Sequence, residues 1–106
     1  MEDAVRVFLA DSSRELLIML RRALEQEGIT VADAAADGET ALRALRENAP
    51  DVLVTELLLP GLDGLSLLRT LREENRLPRT IVLSAFWNDR MARTVSRLGA
   101  EYFLPK

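Results

Sequence analysis

Charged and hydroxyl-bearing residues that could form a binding or reactive site follow several short apolar runs in this sequence. Asp11 and Ser12 come after the first run, and Glu56 comes just after the third. Ser84 ends the fourth run, and Lys106 follows the fifth. Together they offer carboxylates, hydroxyls and one amine. The chemistry open to this set is therefore charge pairing and ligation by oxygen.

The composition excludes several other kinds of site. The chain has no cysteine and no histidine, which rules out disulfides, thiolate chemistry, zinc sites of the usual composition and histidine acid-base mechanisms. The sequence also lacks a Gly-x-Gly-x-x-Gly fingerprint and a phosphate loop ending in Gly-Lys-Ser/Thr. An enzyme is therefore the least favoured interpretation.

Length and charge indicate one soluble domain. The 106 residues are 48% hydrophobic and 29% charged, with a net charge of −3, and a chain of this length fits a single core. Its arginines are scattered among glutamates along the sequence, which gives little attraction for nucleic acid. We expect any DNA binding to belong to a separate effector domain.

No segment of the sequence indicates a membrane or export. No stretch approaches the roughly 18 consecutive apolar residues of a membrane span. The acidic start of the chain lacks the basic residues that open a signal peptide. The expected location is the cytoplasm.

Five short apolar runs predict β-strands. Four of them, Val5–Ala10, Val52–Val54, Ile81–Leu83 and Tyr102–Leu104, suit strands that are buried on both faces of a parallel sheet. The fifth, Ile29–Ala34, contains alanines and an aspartate. It is predicted to be an edge strand.

An amphipathic helix is predicted between the first two strands. Ser12 followed three residues later by Glu15 has the spacing of a capping box, and Gly28 marks the end of the helix. Its apolar stripe consists of Leu16, Leu17, Leu20, Ala23 and Leu24.

Three more helices are predicted by apolar spacing. The second begins after Asp37 and stops before Pro50, and the fourth is capped by Asn88 or Asp89 and ends at Gly99. Their apolar positions are Ala41, Leu42 and Leu45 in the second helix, Leu65, Leu68 and Leu71 in the third, and Met91, Val95 and Leu98 in the fourth.

The alternation of strand and helix predicts a doubly wound α/β fold with a parallel sheet. In such sheets the ligand site lies at the carboxyl ends of the strands, which is where the polar residues stand. The sequence given stops after the fifth strand, where an α/β unit would normally add one more helix. One face of the sheet is therefore expected to be partly bare.

Five segments carry a family resemblance across the whole chain, residues 1–106. Ala10–Ser13, Asp51–Gly64, Leu83–Phe86, Gly99–Ala100 and Tyr102–Lys106 resemble the response-regulator receiver domain. Within that family, the sequence of these segments is most similar to the receiver of the stage zero sporulation protein A transcription regulators. The resemblance implies a flavodoxin-like sheet of strand order 2-1-3-4-5 and a role in a two-component phosphorelay.

The resemblance also assigns site residues, and two of them depart from the family pattern. Receivers hold Mg²⁺ with an acidic pair after the first strand and an aspartate after the third, which accepts the phosphoryl group. Here the pair reads Asp11 and Ser12, and the phosphoacceptor position holds Glu56. Asp11, Glu56 and the carbonyl of Leu58 could form only a weak Mg²⁺ site.

The side chains that respond to the phosphoryl group are present. The resemblance makes Ser84 the switch hydroxyl, Phe103 the switch aromatic and Lys106 the lysine that pairs with the charge. Glutamate is about 1.5 Å longer than aspartate, so its carboxylate leaves the in-line position that phosphoryl transfer requires. We therefore expect Glu56 not to be phosphorylated and to mimic an acyl phosphate only in part.

Alternatives remain at each position. Ser12 could act only as a helix cap, Phe103 only as a core residue, and Glu56 as a relaxed acid in a domain that has lost its function. The rival function is a working phosphoacceptor served by a histidine kinase or phosphotransferase. A homodimer is expected through the helix that begins near Asn88, the strand Tyr102–Leu104 and the bare sheet face.

Overall fold

The computed structural model describes residues 4–106. The sheet order is β2-β1-β3-β4-β5, all parallel, which confirms the predicted doubly wound fold of order 2-1-3-4-5. The strands are β1 (Arg6–Ala10), β2 (Thr30–Ala35), β3 (Val52–Thr55), β4 (Arg79–Ser84) and β5 (Tyr102–Pro105). The helices are α1 (Arg14–Gln26), α2 (Gly38–Glu47), α3 (Gly64–Glu73) and α4 (Asp89–Arg97). Within residues 4–106, no helix combines the length and the apolar character needed to cross a bilayer.

Alternate residues of the strands build two cores, because successive side chains point to opposite faces of a sheet. Phe8, Leu53 and Val82 pack on one face with the apolar residues of α2, α3 and α4. Val7 and Leu9 pack on the other face with α1. The strand β2 lies at one edge, as its composition predicted.

The face that α1 covers is partly bare at β4 and β5. Ile81 pairs with Tyr102 and Leu83 with Leu104 in the ladder between these strands. Tyr102 is 61% exposed and Leu104 is 45% exposed. In the described residues, β5 is therefore the second edge strand of the sheet, and the prediction that Tyr102–Leu104 is buried on both faces is wrong.

The start of α1 differs from the prediction by one residue. Ser13, not Ser12, caps the helix, and its Oγ accepts a hydrogen bond from the Leu16 N–H at 3.2 Å. The reason is the Asp11 carboxylate, which accepts a hydrogen bond from the Ser13 N–H at 2.8 Å. This bond fixes the backbone before α1 so that the helix begins one residue later than predicted. Ala23, which was assigned to the apolar stripe of α1, is exposed.

Caps at the other helices agree with the sequence pattern. Asp37 caps α2 by accepting from the Thr40 N–H at 2.8 Å, and Asn88 caps α4 by accepting from the Met91 N–H at 2.8 Å. Gly28 follows α1 with a φ of 78°, a conformation that glycine adopts without strain.

Gly64 brings the start of α3 against the end of β3. A Cβ at this position would lie 2.4 Å from the carbonyl oxygen of Glu56 and 2.7 Å from the Cα of Leu57. The Gly64 N–H donates to the carbonyl of Leu57 at 2.8 Å. A side chain here would push the loop that follows β3 out of place, so this glycine fixes the loop geometry around Glu56.

The two neighbouring serines provide a matched test of the cap of α1. We expect Ser13→Ala to lower the free energy of unfolding by about 1 kcal/mol, because it leaves a helix N–H without its side-chain acceptor. Ser12→Ala should change it little, since Ser12 is exposed. Chemical denaturation of both variants measures the difference. If Ser12→Ala lowers the free energy of unfolding more than Ser13→Ala does, Ser12 is the cap of α1, as predicted from the sequence.

Candidate functional site

Four strand ends meet at the carboxyl edge of the sheet. The strand order places β3 beside β1 and β4, so Asp11, Glu56 and Ser84 come together. Asp11 is 3% exposed, Glu56 4% and Ser84 0%. The Lys106 N–H extends the ladder from β5 by donating to the Ser84 carbonyl at 3.0 Å.

The ammonium of Lys106 lies between the two buried carboxylates. Its Nζ is 2.7 Å from Oδ2 of Asp11 and 2.9 Å from Oε1 of Glu56. The family resemblance implied the pairing with the residue at position 56. The equally close contact with Asp11 was missed, although both carboxylates stand at the ends of neighbouring strands.

The remaining carboxylate oxygens are satisfied by backbone donors. Oε2 of Glu56 accepts from the Leu57 N–H at 2.6 Å and from the Leu58 N–H at 3.3 Å. Oδ1 of Asp11 accepts from the Ser13 N–H at 2.8 Å. Each of the four carboxylate oxygens therefore has a hydrogen-bond donor. Sequence patterns carry no signal for such backbone contacts.

The pKa of Glu56 is lowered. Burial by itself would raise it, but hydrogen bonds from Lys106, Ser84 and the amides of Leu57 and Leu58 outweigh burial and keep the carboxylate charged. The pKa of Lys106 is raised. Burial by itself would lower it, but the contacts with Asp11 and Glu56 favour the charged ammonium.

Ser84 links the charged centre to the loop after β4. Its buried hydroxyl contributes to the lowered pKa of Glu56, and its oxygen accepts from the Phe86 N–H at 3.0 Å. The position of this loop therefore depends on a side chain that contacts the Glu56 carboxylate.

Phe103 is half-buried and packs against the core on the side of α4. Trp87 stacks on it, with ring centroids 6.0 Å apart, and the indole Nε1 donates to the Phe103 carbonyl at 3.3 Å. The indole of Trp87, which is 49% exposed, therefore packs on the edge strand β5.

Ser12 does not contact the buried charged centre. It is exposed, and within residues 4–106 its hydroxyl makes no hydrogen bond to Asp11 or Glu56. The neutral residue at the second position of the predicted pair therefore adds no ligand to the buried site.

The residues present do not fit a divalent cation as they are arranged. Mg²⁺ needs oxygen ligands in near-octahedral geometry, whereas the oxygens of Asp11 and Glu56 are all engaged and an ammonium lies between them. Across the described part of the chain, no group of three or more acidic, histidine or cysteine side chains could hold a metal. The predicted set of Asp11, Glu56 and the Leu58 carbonyl would need Lys106 to move away.

The charged centre predicts a specific pH dependence of stability. The contribution of Glu56 is present above its ordinary pKa of 4.5 and is lost as the pH falls through the lowered value. The contribution of Lys106 is present below its ordinary pKa of 10.5 and is lost as the pH rises through the raised value. The free energy of unfolding should therefore be highest between these limits.

Glu56→Gln is the matched control, because it keeps the size of the side chain and removes its titration. We expect the difference in free energy of unfolding between the wild type and Glu56→Gln, measured by chemical denaturation, to become smaller as the pH falls. A difference that stays constant with pH would contradict the ion pair between Glu56 and Lys106. Lys106 is the sole lysine in the chain, so NMR of the labelled amine can follow its titration directly.

Comparison with known proteins identifies the family of this fold. The model of the response regulator receiver domain family matches residues 7–106. The receiver domain of the Francisella response regulator 1452 is 31% identical with a TM-score of 0.91, and the match covers 96% of this chain and 84% of that one. CheY in the CheX–CheY–BeF3–Mg complex from Borrelia burgdorferi is 26% identical with a TM-score of 0.91, covering 96% and 78%. A two-component response regulator of the LuxR family from Aurantimonas sp. SI85-9A1 is 28% identical with a TM-score of 0.90, covering 98% and 75%. The chain belongs to the response regulator receiver domain family.

Proposed function

We propose that this receiver is a regulatory module that works without phosphorylation, with Glu56 as a permanent negative charge at the phosphoacceptor position. The observation that carries the proposal is the Lys106 ammonium between Asp11 and Glu56. The domain acts by holding and transmitting a conformation and does not catalyse a reaction.

Three features argue against phosphoryl transfer to Glu56. Both of its oxygens already accept hydrogen bonds, which make each of them a weaker nucleophile. Its extra methylene shifts the carboxylate away from an in-line geometry, on which phosphoryl transfer depends. The acidic pair offers a single carboxylate, because Ser12 is neutral and exposed. A phosphoryl donor would therefore find a weakened, displaced nucleophile and no ready cation site.

The same contacts support a role as a partial mimic of the phosphorylated state. A phosphoryl group would add about −1.5 to −2 charges and three acceptor oxygens, whereas Glu56 supplies one charge and two oxygens. Its carboxylate engages Lys106 and Ser84, the side chains that the family resemblance assigns to sensing the phosphoryl group. The charge is fixed, so regulation would come from the abundance or partners of the protein.

A second candidate function is a working phosphoacceptor that receives phosphate from a histidine kinase or phosphotransferase. The presence of Ser84, Phe103 and Lys106 favours it, since these complete the responding half of a receiver. The Borrelia relative is a CheY in complex with CheX, BeF3 and Mg. In this chain, Lys106 would first have to leave Asp11.

We assign the module to a sporulation-type transcription regulator of the cytoplasm. The support is the amino-acid sequence of Asp51–Gly64 and Ser84–Phe103, which is most similar to that of the stage zero sporulation protein A receivers. DNA contact would belong to a separate effector domain, because the net charge of this one is −3.

Restoring the two departing residues tests the proposal. Wild type should take no label from acetyl phosphate, and Mg²⁺ with beryllofluoride should leave the fluorescence of Trp87, the sole tryptophan, unchanged. Ser12→Asp with Glu56→Asp should gain label, because the cation ligand and the shorter nucleophile return together. Ser12→Asp with Glu56→Gln is the matched control and should stay unlabelled. Saturable quenching or labelling of the wild type would instead establish the second candidate.

We propose self-association as part of the function, through apolar residues that β4 and β5 expose in the described part of the chain. Tyr102 and Leu104 expose apolar surface side by side with the half-buried Ile81 and Leu83. Contiguous apolar surface of this kind is typical of an interface. A second copy could cover it symmetrically, since a twofold interface pairs one patch with itself.

Charge placed on this face should abolish pairing. We expect the wild type to self-associate in sedimentation velocity at high concentration, and Tyr102→Lys with Leu104→Lys to sediment as a monomer. Ile18→Lys with Met19→Lys is the matched control, because these residues of α1 are also largely exposed. A wild type that stays monomeric at high concentration would disprove the dimer. Loss of self-association in the α1 control variant as well would disprove an interface at Tyr102 and Leu104.

A further inference from the structure

A cavity opens between the loop after β3 and the loop after β4. Its volume is about 490 Å³, which lies within the range of roughly 300–1,000 Å³ that small-molecule sites occupy. The apolar part of its lining consists of Leu57, Leu58, Leu65, Phe86 and Met91. Such a lining suits the apolar body of a small molecule.

A carboxylate stands beside these apolar walls. Among the described residues that line the cavity, Asp63 is the charged one. It caps α3 by accepting from the Ser66 N–H at 2.8 Å and from the Ser66 hydroxyl at 3.1 Å. A carboxylate has about four acceptor positions, so each oxygen can accept once more. Within residues 4–106, no arginine or lysine forms an ion pair with Asp63. The cavity therefore presents an unneutralised negative charge.

Two smaller hollows on the described surface differ from this cavity in charge. One of about 330 Å³ lies at the amino ends of the strands and mixes both signs, with Asp51, Arg79 and Glu101 in its lining. The other, of about 300 Å³, contains Arg14 and Arg21 and no acidic residue. Among the three, the cavity beside Asp63 is the largest and the one whose charge is a single carboxylate.

The walls of the cavity belong to the loops that contact the charged centre. The amides of Leu57 and Leu58 donate to the Glu56 carboxylate at 2.6 and 3.3 Å. The amide of Phe86 donates at 3.0 Å to Ser84, whose hydroxyl helps to lower the pKa of Glu56. A ligand that packs on these side chains would therefore act on the backbone groups around Glu56.

We infer that this cavity binds a small amine, with the apolar body against the leucines and the ammonium beside Asp63. The exposed ring of Phe86 adds a face that attracts a cation. The bound amine serves as an input signal that phosphorylation does not supply. This regulatory part rests on the proposed function, whereas binding of the amine does not depend on whether Glu56 is phosphorylated.

Three other occupants fit the cavity less well. An anion would be repelled by Asp63, and Mg²⁺ is poorly served by one carboxylate among apolar side chains. A lysine of a partner protein would bring an ammonium, but its thin alkyl stem would leave most of the cavity empty. A small amine with a bulky body fills the space and neutralises the charge together.

The experiment titrates 2-phenylethylamine into the ¹⁵N-labelled domain and compares it with 2-phenylethanol, phenylacetate and butylamine. Amide shifts should concentrate on residues 57–65 and 86–91. The amine should bind about threefold to fivefold more tightly than the alcohol, as expected for one exposed ion pair. Phenylacetate and butylamine should both bind more weakly than 2-phenylethylamine. The signal of the labelled Lys106 amine should shift on binding, because Lys106 contacts Glu56.

Asp63→Asn is the decisive variant, because asparagine keeps a capping oxygen for α3 and removes the charge. It should bind the amine and the alcohol equally. Asp37→Asn is the matched control, since Asp37 caps α2 through the same two kinds of contact with Thr40, and it should bind like the wild type. Phe86→Ala removes a wall that is 64% exposed and should weaken the amine and the alcohol alike.

Equal affinity of the wild type for the amine and the alcohol would overturn the inference. Equal affinity for butylamine and 2-phenylethylamine would also overturn it, because the cavity would then suit a lysine side chain. So would loss of binding as the domain is concentrated, since a second copy would then fill the cavity. An unchanged Lys106 signal on binding would overturn the regulatory part. Labelling of the wild type by acetyl phosphate would instead overturn the proposed function and leave the binding result intact.

Discussion

The contact on which the rest of this structure depends is one ammonium held between two buried carboxylates. Two adjacent negative charges at strand ends would repel each other and lose hydration, and a buried charge without a partner costs several kcal/mol. Lys106 offsets that cost for Asp11 and Glu56 together. Every other basic side chain in the chain is an arginine. A compact ammonium on a flexible stem suits the space between two carboxylates better than a planar guanidinium does.

The charged centre also sets the positions of the neighbouring loops. The Glu56 carboxylate fixes the loop after β3 through the amides of Leu57 and Leu58. Ser84, whose hydroxyl helps to lower the pKa of Glu56, accepts from the Phe86 amide in the loop after β4. The Glu56 carboxylate therefore orders the loop after β3 and, through Lys106, contacts the end of β5.

Much of the fold could be predicted because it rests on short-range patterns. Apolar runs predicted the strands and their alternation with helices predicted the parallel sheet. The start of α2 after Asp37 and a cap of α4 at Asn88 or Asp89 were predicted from residue type and position alone. The start of α1 could not be placed, because it depends on the Asp11 side chain reaching the Ser13 amide. The second ion pair of Lys106 was missed for a similar reason, since a long side chain from β5 reaches the end of β1 across the site.

Strand β5 joins the site to the candidate self-association surface. Lys106 follows it into the charged centre, and Phe103 on one face packs into the core with α4. Tyr102 and Leu104 on the other face form the bare surface. Trp87 adds a stack and a hydrogen bond to the same strand. Two sites can influence each other when both bias one packed element. An edge strand is such an element, because it has a neighbouring strand on one side only. A second copy bound at the bare surface would therefore contact the same strand that carries Lys106 to Asp11 and Glu56.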